Sequence, residues 1–276
     1  MKASFVKLSP SENTTIIVTE AEIKKVAYPE IAKAAMAYTH LYGEQVGFIT
    51  PTLYPEAKGR MEMSGGEFCG NGLLALGAYL VWIEGTEKST FPVEFSGVDK
   101  MLTCEVEKTS SLTYRVKGEM PVEEYRISKR EMVIGDEKIT GDLVVMKGIT
   151  HFLFPLSDRK TSKPDFPSLL KKLEKEGDNQ AYGALGYKIT GEEIHLSPWV
   201  YVPGIDSIRE ERSCGSGSLA AGLRWAEEKE ESLRLNIQQP GGKIAVTIDY
   251  DQKAKKVTSA SIETEVKVTC EGNILL

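Results

Sequence analysis

Hydrophobic and polar positions in this chain alternate in short runs. Residues 4–8, 15–19, 91–95, 143–146 and 152–155, then 194–202, 233–238, 244–248 and 264–268, carry β-branched residues or a period of two. That pattern predicts half-buried strands. Four stretches carry the helical period instead. Residues 28–40 place Ile31, Ala34, Ala35 and Tyr38 on one face, and 168–176 do the same with Leu169, Leu170 and Leu173 ahead of Gly177 as the expected C-cap. The other two, 73–82 and 218–226, are apolar runs, the second rich in alanine and leucine. Many strands with a long helix per half predict an α+β architecture.

Those last two helices open on one four-residue pattern, as Cys69-Gly70-Asn71-Gly72 and Cys214-Gly215-Ser216-Gly217. The two copies stand about half the chain apart. Self-similarity at that period predicts two related domains, each donating one turn to a shared interface. The charged, turn-rich stretch 119–129 is the expected boundary.

Composition narrows the classes. With 276 residues and 41% hydrophobic content the chain can bury a sizeable core. A net charge of −6 and a pI near 5.4 argue against a nucleic-acid partner and against an anionic membrane surface. No apolar run approaches the roughly 20 residues of a membrane span. Residues 1–9 lack a charged-then-apolar signal layout, so a soluble cytoplasmic protein is expected. The four cysteines form no CxxC pair, and the three histidines form no HxH or HxxxH pair. Neither a disulfide framework nor a metal site is therefore expected. The cysteines are left as core residues or reactive thiols.

A Cys-Gly-x-Gly turn at a helix start has specific chemistry. The first turn of a helix presents unpaired N–H groups and a partial positive charge, and glycines let an anion such as an α-carboxylate approach them. The same field is expected to draw a thiol at the turn from about 8.5 towards neutrality. Two such turns supply a base and an acid for opposite faces of one Cα, which is what stereoinversion requires. Oriented amides in a water-excluded cleft can stabilise the carbanion. A single such motif reads more readily as a buried core cysteine, whereas the matched pair is hard to explain by packing. Cys104 and Cys270 lack that setting and read as structural.

These residues resemble the diaminopimelate epimerase-like superfamily over almost the whole chain, and most closely its pyridoxal-phosphate-independent histidine racemases. The matching segments are 10–15 (Pro-Ser-Glu-Asn-Thr-Thr), 44–49 (Glu-Gln-Val-Gly-Phe-Ile), 63–71 (Met-Ser-Gly-Gly-Glu-Phe-Cys-Gly-Asn), 207–217 and 239–242 (Gln-Pro-Gly-Gly). The resemblance implies two pseudo-symmetric mirrored domains, each a curled, mostly antiparallel sheet around a central helix, with the active site in the cleft between them. It also implies that the last strand returns to the first domain, giving 1–118 plus 264–276 for the domain carrying Cys69 and 119–263 for the domain carrying Cys214. The implied activity is cofactor-independent racemisation of an amino acid by two cysteines, with histidine as first substrate. Homologues of this kind are often dimeric, so a homodimer is also expected.

Departures from the epimerase pattern bear on the substrate. Ile149-Thr150-His151 stands where diaminopimelate epimerases carry Asn-Pro-His, and Gly183-Ala184-Leu185-Gly186-Tyr187 stands where an asparagine-containing strand is expected. Glu211-Arg212-Ser213 directly precedes Cys214, in place of Glu-Arg-Gly-x-Gly-Glu-Thr. Polar recognition carries selectivity, so these losses lower the diaminopimelate reading without touching the cysteine chemistry. An isomerase of the phenazine-biosynthesis type would need an acidic residue and a Gly-His turn at Cys69 and Asn71.

Cys69 and Cys214 are thus the expected base and acid. Gly70, Asn71, Gly72, Gly215, Ser216 and Gly217 are the expected carboxylate cradle, though turn and cap chemistry also explains glycines there. Asn13 and Gln45 are candidates for holding the α-amino group or a thiol, against an Asx-turn and a solvated strand end. Glu211 is a candidate for the substrate amine, against the exposed carboxylate usual in a run such as Arg209-Glu210-Glu211-Arg212. His151 either lines the substrate pocket or is a satisfied strand histidine. Gln239-Pro240-Gly241-Gly242 reads as a tight hairpin turn with no chemistry. The alternatives are a diaminopimelate epimerase, a racemase of another polar amino acid, and a ligand-binding protein of the same fold, which would have no need of two matched thiols.

Overall fold

A computed structural model of the chain describes residues 2–20, 23–156, 165–191 and 193–275. Met1 and Leu276, at the ends of the expected first and last segments, lie outside them. The chain divides into two compact units, Met1–Met120 with Ile262–Leu276, and Pro121–Ser261.

The first unit contains β1 (Lys2–Pro10), β2 (Thr15–Val18), α1 (Tyr28–Met36), β3 (Gln45–Thr50), β4 (Arg60–Met63), α2 (Gly70–Glu84), β5 (Lys88–Phe95), β6 (Leu102–Lys108) and β7 (Thr113–Glu119). Its strands follow one another in chain order from β1 to β7. The last strand of the chain (Lys256–Leu275) then lies beside β7 and pairs antiparallel with β1 from Lys2↔Leu275 to Pro10↔Val266. The sheet therefore returns to its own first strand. Inside it lies α2, packed against β1, β2, β3, β5, β6 and β7. Nearly every residue of α2 from Gly70 to Val81 is buried, as expected of a helix that is apolar on all sides. It ends at Gly85, whose φ of 69° is the left-handed conformation that favours glycine. The amphipathic α1 packs its Ile31, Ala32 and Ala35 against Phe48, Val46 and Ile16 of the sheet.

The second unit contains β8 (Tyr125–Ile134), β9 (Glu137–Met146), β10 (Ile149–Pro155), α3 (Phe166–Glu176), β11 (Ala181–Thr190), β12 (Glu193–Val202), β13 (Ser207–Glu210), α4 (Gly215–Lys229), β14 (Leu233–Gln239) and β15 (Gly242–Asp251). The last strand, now β16, starts in this unit and ends in the first. The order runs β8-β9-β10-β11-β12-β14-β15, with β13 paired to β12. Here α4 packs on β9, β10, β14 and β15, and α3 lays Leu169, Leu170 and Leu173 against Phe152, Phe154 and Tyr182.

The two units repeat one plan. In each, two parallel pairs, β2–β3 and β4–β5 in the first and β10–β11 and β12–β14 in the second, interrupt a run of antiparallel pairs. A parallel pair needs a crossover, usually helical. Each crossover here contains a helix: α1 and α3 in one position, α2 and α4 in the other. The α+β class expected from the sequence is the class observed.

Candidate active site

In the first unit, the loop after β4 delivers Cys69 to the N-cap of α2 in extended backbone, φ −133° and ψ 115°. Its carbonyl accepts the Leu73 N–H at 2.9 Å, and its Sγ accepts the Gly72 N–H at 3.3 Å. That is the bond a Ser or Asp cap ordinarily makes. Gly72 sits in close quarters, since a Cβ there would stand 3.0 Å from Met63 Sδ and 3.1 Å from Phe95 Cζ.

The thiol proton of Cys69 points the other way. Its Sγ donates to Gln45 Oε1 at 2.8 Å. Gln45 opens β3, and its Nε2 donates to Asn13 Oδ1 at 2.9 Å and to Thr15 Oγ1 at 2.8 Å. An amide nitrogen has two hydrogens, so both are committed and the carbonyl end is the one presented to sulfur. The parallel register that sets Thr15 opposite Gln45 brings this group together. Asn13 reaches it from the β1–β2 turn, where Ser11 and Glu12 hold φ of 43° and 63° and the Asn13 N–H donates to Pro10 O at 2.9 Å. The Asn13 side chain is buried.

Cys214 repeats the cap in the second unit. Its backbone has φ −127° and ψ 108°, its carbonyl accepts the Ser218 N–H at 3.0 Å, and its Sγ accepts the Gly217 N–H at 3.3 Å. Its own N–H donates to Gln239 Oε1 at 2.8 Å, while Gln239 Nε2 donates to Ser218 Oγ at 2.9 Å. Around the sulfur stand the Glu211 carboxyl, hydrogen-bonded to the thiol, and Ser216 Oγ at 3.5 Å. Ser216 Oγ in turn lies 3.0 Å from His151 Nε2. Glu211 is fixed from the backbone side, where its N–H donates to Pro198 O at 2.9 Å.

The electrostatics correct one expectation. Burial pushes the Cys214 thiol well above its ordinary value, and the neighbouring Glu211 charge pushes it further. The Ser216 hydroxyl and the Gly217 amide pull it down, but by less. Desolvation therefore outweighs the helix-start field, and Cys214 carries its proton in this arrangement. Glu211 is pushed up to about 7 by burial, against the pull of its bond to Cys214 and of the Arg209 charge. His151 is fully buried, and burial brings it down to about 3, so it is neutral near pH 7. Its Nδ1 has no hydrogen-bond partner among the described residues.

Sequence-predicted residues thus gather into two groups. Asn13, Gln45, Cys69 and the first-turn residues Gly70, Asn71 and Gly72 lie in the first unit. His151, Glu211, Cys214, Gly215, Ser216 and Gly217 lie in the second. Glu211 is a half-buried partner of sulfur rather than an exposed member of a charge run. The sequence reading missed Thr15, Gln239 and Gly183. A Cβ at Gly183 would overlap the His151 ring, which lies across it at the parallel register His151↔Gly183. Of the other thiols, Cys104 is fully buried and pushed up to about 12, as a structural cysteine should be. Cys270 is exposed on β16. Among the described residues no cluster of three His, Cys, Asp or Glu side chains could hold a metal ion, and no helix is long and apolar enough to cross a membrane.

Residues 2–275 match the family described as the histidine racemase CntK N-terminal domain. A histidine racemase of Fusobacterium nucleatum is 27% identical over 275 residues, covering 99% of this chain and 97% of that protein. A histidine racemase of Staphylococcus aureus is 27% identical over 267 residues, covering 95% of this chain and 92% of that protein. A diaminopimelate epimerase of Bacillus subtilis is 27% identical, covering 97% of each chain. Among solved structures, a hydroxyproline epimerase from Agrobacterium vitis with bound trans-4-hydroxy-L-proline superimposes with a TM-score of 0.73 at 8% identity, covering 99% of this chain and 92% of that one. A Bacillus anthracis phenazine biosynthesis protein of the PhzF family gives 0.72 at 16% identity over the whole of both chains. At such identities the superpositions establish the shared fold.

Proposed function

The chain belongs to the histidine racemase family and is an amino-acid racemase or epimerase, and from that premise we propose that it interconverts L- and D-histidine without pyridoxal phosphate, using Cys69 and Cys214 as its two proton-transfer groups. The observation that carries the reading is the repeated cap. Two cysteines, one per unit, hold their sulfur on the third amide of a buried helix, with the same backbone conformation and the same 3.3 Å bond. Packing alone does not call for that repetition.

In this reading the substrate α-carboxylate sits at the helix starts, against the backbone N–H groups of Gly70, Asn71, Gly215 and Ser216. Gly72 and Gly217 serve the sulfurs instead. One sulfur, as thiolate, takes the Cα proton and becomes a thiol. The other thiol returns a proton to the opposite face and becomes the thiolate. The site then suits the opposite enantiomer, and no net proton is gained or lost. Glu211, balanced near neutrality beside Cys214, takes up the Cys214 proton and so creates the first thiolate. The amides at each helix start stabilise charge that develops from the carboxylate towards Cα.

A second reading is supported by the Bacillus subtilis epimerase, which aligns as fully as the histidine racemases do at comparable identity. It keeps the chemistry and changes the side chain. The test is a panel of separate L-amino acids (histidine, lysine, ornithine, arginine, proline, glutamate, LL-diaminopimelate) with the reduced protein and no pyridoxal phosphate, followed by chiral chromatography. Conversion of L-histidine well above the others supports the proposal. Preference for LL-diaminopimelate moves the substrate to the second reading, and inactivity on the whole panel defeats both.

A further inference from the structure

We propose that Gln45 is a positioning residue that holds Cys69 in its proton-bearing form, its carbonyl accepting the S–H; this rests on the two-cysteine reading for its role in turnover. The amide can point only one way. Gln45 Nε2 spends its hydrogens on Asn13 Oδ1 and Thr15 Oγ1, and only Oε1 is left to face Cys69 Sγ, 2.8 Å away. A carbonyl oxygen attracts a thiol and repels a thiolate. The Gly72 N–H on the other side of the sulfur, at 3.3 Å, favours the thiolate. Gln45 therefore opposes the helix start and keeps Cys69 loaded as the acid, while the first thiolate forms at Cys214 beside Glu211.

Three carboxylates on the surrounding elements are engaged elsewhere. Glu62 of β4 binds Lys25 at 2.8 Å and Arg60 at 2.6 Å. Glu94 of β5 accepts the Leu53 and Tyr54 N–H groups and lies 3.6 Å from Arg60. Glu67, in the loop before α2, bonds to its own backbone and that of Gly65. Glu44 is next to Gln45 in sequence and is left unchanged in every variant below, so it moves all midpoints alike.

The test is the pH dependence of alkylation by iodoacetamide, followed at the Cys69 peptide by mass spectrometry. Cys69 is half-buried and within reach of the reagent, and the exposed Cys270 is the internal reference. Gln45→Leu removes the acceptor and should lower the Cys69 midpoint, with alkylation about three- to tenfold faster at fixed pH, the scale of one lost hydrogen bond. Gln45→Glu keeps an acceptor and adds charge, so it should raise the midpoint. Thr15→Val releases one anchor of the amide and should shift the midpoint downward by less than Gln45→Leu, which keeps the test available if Gln45→Leu does not fold. Thermal melts establish folding in each. Equal midpoints in all proteins would overturn the proposal, as would a rise with Gln45→Leu, which would mean that the amide nitrogen faces a thiolate. No substrate enters this measurement, so its outcome is independent of whether histidine is turned over.

Discussion

A cysteine at a helix N-cap does with sulfur what serine does with oxygen, and this separates its structural duty from its chemical one. Serine is a preferred N-cap, so Cys69→Ser and Cys214→Ser should keep the bonds to Gly72 and Gly217 and melt close to the parent. A serine hydroxyl does not ionise near pH 7 and so cannot serve as the base, and racemisation should fall by at least about 100-fold, the scale of lost acid–base catalysis. Steady-state racemisation beside a thermal melt checks both halves, and a serine variant with near-parent turnover would remove that sulfur from the mechanism. Glu211 gives a prediction in pH. Its carboxyl is raised to about 7, so the folded state binds its proton more tightly than the unfolded chain does. Its contribution to stability is fully present below the ordinary carboxylate range and is lost as pH rises through about 7. Glu211→Gln should therefore melt higher than the parent at pH 8 and near it at pH 5, while losing the rise of activity with pH around 7. An unchanged difference at both pH values would mean that the carboxyl is not held neutral. At this scale the cysteines, Asn13, Gln45 and Glu211 were legible because motif and resemblance mark them. Gln239 was not, because its bond to Cys214 N–H exists only once the β14–β15 hairpin folds back beside α4. The raised Cys214 thiol was not legible either, since a motif displays the helix start but not the burial that outweighs it.

Elements are where periodicity was most informative and most incomplete. The four helices expected from pattern are the four longer helices described, with shifted ends: 28–40 became Tyr28–Met36, while the two Cys-Gly-x-Gly helices begin at the first glycine of each motif. Nine strands were visible as apolar or alternating runs, whereas β3, β4, β6, β7, β8, β11 and β13 were not assigned, and β6, β7 and β8 share one reason. Their alternation is interleaved with lysine, arginine and glutamate on the exposed side, as in the Leu102–Lys108 sequence LTCEVEK. Parallel pairing was invisible for a different reason, since it joins segments separated by a helix. One such pair sets a tightly enclosed glycine of the second unit, where β10 and β11 place His151 beside Gly183. Gly183→Ala would drive a methyl into the imidazole and should destabilise the protein by about 1–3 kcal/mol, the usual cost of overpacking. Because His151 reaches Ser216 and Ser216 reaches Cys214, turnover should drop as well. Denaturant unfolding with a parallel activity assay decides this, and a variant with parent stability would show that the ring has room to move.

The whole molecule is two copies of one topological plan, and half-length repetition of a Cys-Gly-x-Gly turn was the sequence's sign of it. Its dependence on the end of the chain has a direct consequence. Residues 262–276 provide the β16 segment that pairs with β1 in the first unit. Deleting them leaves long unpaired edges, which invite association. Size-exclusion chromatography should find that truncated protein aggregated, and a monomer with a cooperative melt would show that the closing strand is dispensable. If two thiols divide one stereoinversion between them, the isotope distribution of the product and of the remaining substrate reveals it. Reduced protein is incubated with L-histidine in D2O without pyridoxal phosphate, and Cα deuterium is measured early in each separated enantiomer. D-histidine should carry deuterium at Cα while the remaining L-histidine stays almost wholly protiated, because one sulfur removes the proton and the other delivers a deuteron. Deuterium appearing equally in both enantiomers from the start would mean a single exchanging base, and would contradict a division between two thiols.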